Sequence, residues 1–185
     1  MSREQIVTGA ADMIRRRGLN ATSIREVAKH AGTPLGSTYH YFPGGKNQLA
    51  TEAVRWAGDT VSKVLAAKLR KGPVDGLKAF FGLWRQIVTE TDFQAGCPVL
   101  AVSIEETASA DALAAAAEAF RTWSGQLENS LQDHGVAAGR AKSLAQLVVA
   151  AAEGAVAMCR AQRSIDPLDN VASELTTLLE TAVEA

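Results

Sequence analysis

Two short helical patterns separated by one tight turn constrain this chain more than anything else in it. The first is SIREVAKHAG, residues 23–32. Ser23 and Glu26 have the spacing of a capping box, in which each side chain satisfies a free backbone N–H at a helix start. Ile24, Val27, Ala28 and Ala31 then fall on one side, and Gly32 supplies the left-handed conformation that ends a helix. Thr33 is placed to cap a third helix, with Pro34 at its tolerated first position. On that helix Leu35, Thr38 and Phe42 share a side, and Pro43-Gly44-Gly45 stops it before Lys46. A longer helix precedes both, with Ile6, Ala10, Met13, Ile14 and Arg17 on one face and Gly18 as its stop. This is the layout of a helix-turn-helix unit. Three helices of this size bury little surface, so the unit is expected to lean on the rest of the chain.

The remainder is helical as well. Leu49, Ala53, Val54, Ala57, Val61, Val64 and Leu65 line the inner side of a long helix over about 46–70, which Lys71-Gly72-Pro73 ends. Further helices are expected at about 74–91, 98–107, 110–134, 139–163 and 168–183. Strand signals are almost absent. The fold class is therefore all-α, with about nine helices: a three-helix head over 1–47 and a helical body over 48–185. Alanine-rich stretches at 112–119 and 150–157 favour helix and allow close helix approach.

The formal net charge of −1 hides an asymmetry. Residues 1–48 hold seven Lys/Arg against three acids, whereas 49–185 hold 12 basic and 17 acidic residues. A basic head that meets an anionic partner, on an acidic body that does not, is the reading this supports. Cys97 and Cys159 are too few for a disulfide scaffold and lie in no metal-ligand spacing, so no metal and no cofactor are expected, and a reducing cytoplasm is the simple setting. The N-terminus lacks the apolar block of a signal peptide. The most apolar run, residues 144–159, is interrupted by Glu153 and is shorter than the roughly 20 residues that span a bilayer, so it reads as a buried helix. No Ser/His/Asp, paired-carboxylate or metal constellation supports an enzyme.

The chemistry concentrates on the third helix. Ser37, His40 and Tyr41 point away from the Leu35/Thr38/Phe42 side, with Tyr39 at the boundary. Hydroxyl and imidazole groups there suit phosphate oxygens or base edges in a major groove, and Lys46 is placed to reach the backbone beyond. The same residues also make an ordinary solvated surface.

The stretch TSIREVAKHAGTPLGSTYHYFPGGKNQL, 22–49, closely resembles the DNA-binding motif of TetR-family transcriptional repressors, through Ala31-Gly32, Gly36, Tyr39, Phe42 and Lys46. The Phe-Pro-Gly-Gly-Lys form, with GCPVLAVS at 96–103, resembles the LmrA/YxaF-like subgroup. The resemblance implies a dimer on a double-stranded DNA operator, with Thr33, Gly36, Ser37, Tyr39, His40, Tyr41 and Lys46 at the DNA. Ser37 and His40 are the expected base readers. Leu35 stands where many relatives have Lys or Arg, which shifts the expected phosphate contacts toward Arg25 and Lys29.

The resemblance also implies a homodimer through the last two helices, with Ala145, Val149, Ala152, Val156, Leu175, Leu178 and Leu179 as candidates; part of that set must be intramolecular core. It implies, too, an effector site in the middle helices. Phe81, Trp84, Phe93, Ile104, Phe120, Trp123 and Met158 are its candidates, suited to a flat apolar molecule. The function expected is a ligand-responsive repressor released from a palindromic operator by a small apolar or aromatic effector. The alternative is a helical small-molecule-binding module with a weak or non-functional DNA head.

Overall fold

Side chains that satisfy free backbone N–H groups start the first two helices in the computed structural model, which describes residues 2–184. Among the described residues it forms α1 (Arg3–Arg17), α2 (Ile24–His30), α3 (Leu35–Tyr41), α4 (Gly45–Leu69), α5 (Pro73–Glu90), α6 (Pro98–Ser103), α7 (Ala110–Asp133), α8 (Ala138–Gln162) and α9 (Asp166–Glu184), and no strand. The chain is all-α, as its periodicity predicts. Ser2 and Gln5 form one capping box at α1, and Ser23 and Glu26 form another at α2. The Glu26 carboxyl is held below its ordinary value by hydrogen bonds from the Ser23 hydroxyl and backbone N–H.

Four local expectations shift. Pro34, not Thr33, is the N-cap of α3 and supplies no side-chain cap. Thr33 instead closes the end of α2: its N–H donates to the Ala28 carbonyl at 2.8 Å and its hydroxyl to the same oxygen at 3.4 Å. Arg17 is exposed rather than packed, since a charged side chain in the last turn favours the negative helix end. α6 stops at Ser103 instead of near 107, because the chain turns and sends the Glu105 and Thr107 side chains to Asn20. α9 starts two residues early, with Pro167 in the first turn, where no intrahelical N–H is required.

The chain divides into two compact units. The first comprises 2–59 and 97–119, and the second 60–96 and 120–184; α4 and α7 contribute to both. In the first, α1 packs on α2, α3 and α6, burying Ile6, Val7, Ala10, Ala11, Met13 and Ile14. Gly32, with φ +64°, turns the chain between α2 and α3, a conformation that carries little cost only for glycine. In the second unit α5, α8 and α9 pack pairwise around Leu77, Phe80, Trp84, Leu144, Val148 and Leu179. Arg85 pairs with Asp169 at 2.9 Å across α5 and α9, and the hydrogen bond raises the guanidinium pKa further. α8 is long and apolar enough by length and composition to cross a membrane, with mean hydropathy 1.4 in its most apolar window; half of that window is buried inside the fold, and Glu153 lies within it, 5% exposed.

α4 and α7 approach closely at Gly58 and Ala119. A methyl group at 58 would sit 2.8 Å from the Ala119 Cβ, nearer than two carbons approach. Alanine gains up to about 1 kcal/mol of helix propensity over glycine, but overpacking costs about 1–3 kcal/mol. Gly58→Ala is therefore expected to lower the thermal midpoint followed by circular dichroism, and Ala119→Gly in the same chain to restore it. Gly82→Ala, where the space is open, should raise the midpoint.

Candidate nucleic-acid interface

α3 is held from one side only. Thr38 and Phe42 are 0% exposed, and burying a phenylalanine ring stabilises by about 1.5–3 kcal/mol. The Thr38 hydroxyl donates to the Pro34 carbonyl at 3.3 Å and lies 3.4 Å from the Thr33 hydroxyl. The Arg3 guanidinium stands 5.2 Å from the Phe42 ring centroid, a cation–π distance. α2 braces this arrangement against α1, where a Cβ on Gly9 would come within 3.0 Å of Ala31.

The opposite flank is open. Tyr39 is 54% exposed, Tyr41 39%, His40 and Gly36 are exposed, and Ser37 is half-buried. The His40 and Tyr41 rings meet edge to face at 5.6 Å. Gly36 has ordinary helical backbone, and a Cβ there would meet nothing within 4 Å. Nothing in the chain's own packing asks for glycine at this position. Thr33, by contrast, is 8% exposed, and both its N–H and its hydroxyl are used within the turn. Leu35 is half-buried. Arg25 and Lys29 are exposed on α2. Lys46, half-buried at the start of α4, donates to the Asn20 carbonyl at 3.3 Å.

The basic end of α1 is less free than its sequence implies. Asp12 accepts from Arg15 at 2.6 Å and from Arg16 at 3.0 Å, and lies 2.9 Å from His30 Nε2. Partial burial pushes the Asp12 carboxyl up, but the hydrogen bonds and charges of Arg15 and Arg16 outweigh it and hold the group below its ordinary value. The helical spacing of Asp12 to Arg15 and Arg16 was a readable signal for this cluster; His30, 18 positions on, was not. Asn20, Glu105 and Thr107 also escaped the sequence, since their bonds join residues 85 and 87 apart.

The effector candidates divide. Phe81, Trp84 and Trp123 are buried, and Phe120 is half-buried. Phe80 joins them in edge-to-face contacts: its ring lies 6.3 Å from Phe81, 6.0 Å from Trp84 and 5.9 Å from Trp123, while Trp123 lies 5.5 Å from Phe120. The Trp84 indole N–H is buried there without a hydrogen-bond partner. Phe93 lies elsewhere, half-buried under the Arg163 guanidinium at 5.8 Å, with φ +59°. Met158 is 49% exposed on α8, and Ile104 is 76% exposed at the end of α6 in the first unit.

Of the dimer candidates, Ala145, Val149, Ala152, Val156, Leu175 and Leu179 are at most 6% exposed within one chain, and Leu178 is half-buried. The outward side of α8 carries Leu147, Ala150, Gly154, Ala157, Met158 and Ala161, all exposed and all uncharged.

Three helices in this order, ending on an anchored helix with an open polar flank, define a helix-turn-helix transcriptional regulator. Residues 6–53 match the bacterial regulatory proteins of the tetR family, and 73–174 match the C-terminal domain of LmrA/YxaF-like transcriptional regulators. The chain belongs to the TetR family, in its LmrA/YxaF-like group. It is 40% identical over 183 residues to an uncharacterised HTH-type transcriptional regulator of Mycobacterium tuberculosis, covering 96% of this chain and 93% of that one. It is 30% identical over 182 residues to the HTH-type transcriptional regulator LmrA of Bacillus subtilis, covering 97% of each. A TetR transcriptional regulator from Legionella pneumophila shares the fold with a TM-score of 0.86 at 19% identity, over 96% of this chain and 97% of that one. Another, from Chloroflexus aurantiacus, does so at 0.78 and 27% identity, over 96% and 93%. Membership identifies a regulator, not an enzyme.

The Asp12 cluster has a defined pH signature. A carboxyl whose folded value is depressed contributes stability above its unfolded value, near 3.9 for aspartate, and loses it as pH falls through the folded value. Asp12→Asn is expected to unfold at lower urea than wild type at pH 7, with the difference shrinking below about pH 4.

Proposed function

We propose that the chain is a repressor: a homodimer that holds a palindromic operator through α3 of each copy and is released by a small apolar or aromatic effector. The observation that carries the reading is the one-sided anchoring of α3, with Thr38 and Phe42 sealed beneath and Ser37, Tyr39, His40 and Tyr41 left outward. In this reading residues 1–47 are the DNA-binding head and 48–185 the ligand-binding and dimerisation body, working in the cytoplasm with its DNA. Tyr39, Lys46 and Arg25 hold phosphates, which position the head without reading sequence. Ser37 and His40 read base edges. Gly36 lets the α3 backbone come close to the duplex, which accounts for a glycine that the protein's own packing does not need. Two such heads read half-sites about 34–36 Å apart.

The outward stripe of α8 supports the dimer: an uncharged row from Leu147 to Ala161 invites a second copy, and Gly154, with open space at its Cβ, permits close helix approach. The aromatic group around Trp84 and Trp123 supports the effector site, since an unused indole N–H in apolar surroundings offers one polar anchor for a flat ligand.

Gly36→Ala separates folding from binding. Thermal stability should hold or rise, since alanine favours helix by up to about 1 kcal/mol, while affinity for duplex DNA falls. A loss of both, or of neither, removes the case for backbone approach. In binding titrations against KCl, wild type should lose affinity steeply, by about 0.9 in logarithmic slope per phosphate held. His40→Ala should relax the preference at one base pair by about 1–3 kcal/mol. A flat salt dependence would leave the small-molecule module as the better account. Leu147→Glu should shift sedimentation from dimer toward monomer and weaken operator binding.

A further inference from the structure

The loop between α1 and α2 carries a side chain that neither the DNA reading nor the effector reading uses. Asn20 is exposed, yet both ends of its amide are engaged by the turn between α6 and α7. Its Nδ2 donates to the Glu105 carboxylate at 2.5 Å, and its Oδ1 accepts from the Thr107 hydroxyl. The carboxylate only accepts, so the NH2 end must face it and the amide orientation is fixed by chemistry. The loop around Asn20 is closed on itself. Leu19 and Thr22 are buried, the Thr22 hydroxyl donates to the Gly18 carbonyl at 2.8 Å, and the Thr22 N–H donates to the Leu19 carbonyl at 3.0 Å. The backbone carbonyl of Asn20 then accepts from Lys46 Nζ at 3.3 Å. All of these groups belong to the first compact unit.

We infer that Asn20 is a positioning residue for Lys46: the Glu105 and Thr107 side chains hold the loop, and the loop's carbonyl aims the lysine ammonium at a DNA phosphate. The inference rests on the reading of the head as a DNA binder. It makes the six-residue stretch between α6 and α7 a second determinant of affinity, without any contact of its own to nucleic acid. A change there that breaks the amide bonds releases the loop and lets the ammonium wander, so the phosphate contact is made at greater entropic cost.

The test uses the full chain with duplex DNA of defined sequence, titrated against KCl. Lys46→Met should lower the logarithmic salt slope by about 0.9, the share of one phosphate. Asn20→Ala keeps the carbonyl and removes the amide; the Glu105→Ala/Thr107→Val pair breaks the same bonds from the other side. Each should weaken binding roughly 3- to 10-fold, inside the range of coupling through contiguous side chains. Each should have no further effect in the Lys46→Met background. Losses that multiply instead would overturn the inference. Amide hydrogen exchange of the DNA-free protein gives an independent readout. Glu105→Ala/Thr107→Val should speed exchange in 18–22 and in 46–49, and unchanged exchange in both segments also overturns the tether. A wild-type chain that holds no duplex would sink the reading of the head alone, and exchange would still decide whether Asn20 restrains Lys46.

Discussion

Phe42 and Thr38 have no exposed surface, and the orientation of α3 follows from that burial. A seven-residue helix is too short to persist in water on its own hydrogen bonds. Its register, and hence which side chains face outward, is set by what it packs against. Thr33 ties its entry to the end of α2, and Arg3 lies against the Phe42 ring. Were that anchoring lost, Ser37, His40 and Tyr41 would still be present in the chain but would no longer share a direction.

Electrostatics in the head are sorted by local pairing. Asp12 occupies Arg15, Arg16 and His30, so these groups brace α1 and α2 instead of projecting. Arg17, Arg25 and Lys29 remain exposed on the first two helices, while Arg3, exposed as well, pairs with Glu52. Counting charge over residues 1–48 locates the basic region correctly but overstates how much of it faces solvent. Lys46 is sorted differently: its ammonium donates to the Asn20 carbonyl, and its charge also helps to hold the Glu26 carboxyl below its ordinary value. Among the described residues it forms no ion pair.

In the second unit the aromatic side chains pack on one another, and the residues expected at an interface between copies mostly pack inside one chain. An amphipathic helix with apolar residues on more than one side presents two stripes, and periodicity does not say which is intramolecular. α8 is such a helix: Ala145, Val149, Ala152 and Val156 face inward, while Leu147, Ala150, Gly154 and Ala157 face out. Their residue types barely differ. Only the packing of α5 and α9 against one side breaks the tie.

The sequence by itself determined the all-α class, the position of nearly every helix, the turn at Gly32 and the buried role of Phe42. These depend on short-range physics, namely capping, periodicity and backbone sterics, which a window of a dozen residues contains. The open flank of α3 was legible for the same reason. Tertiary structure alone decided that Thr33 turns inward, that α6 ends early, that Asp12 gathers His30 and that Asn20 meets Glu105 and Thr107. Each of those outcomes depends on groups far apart in the chain. Their meeting is set by how helices cross, and the side chains carry no local mark of the partner they will find.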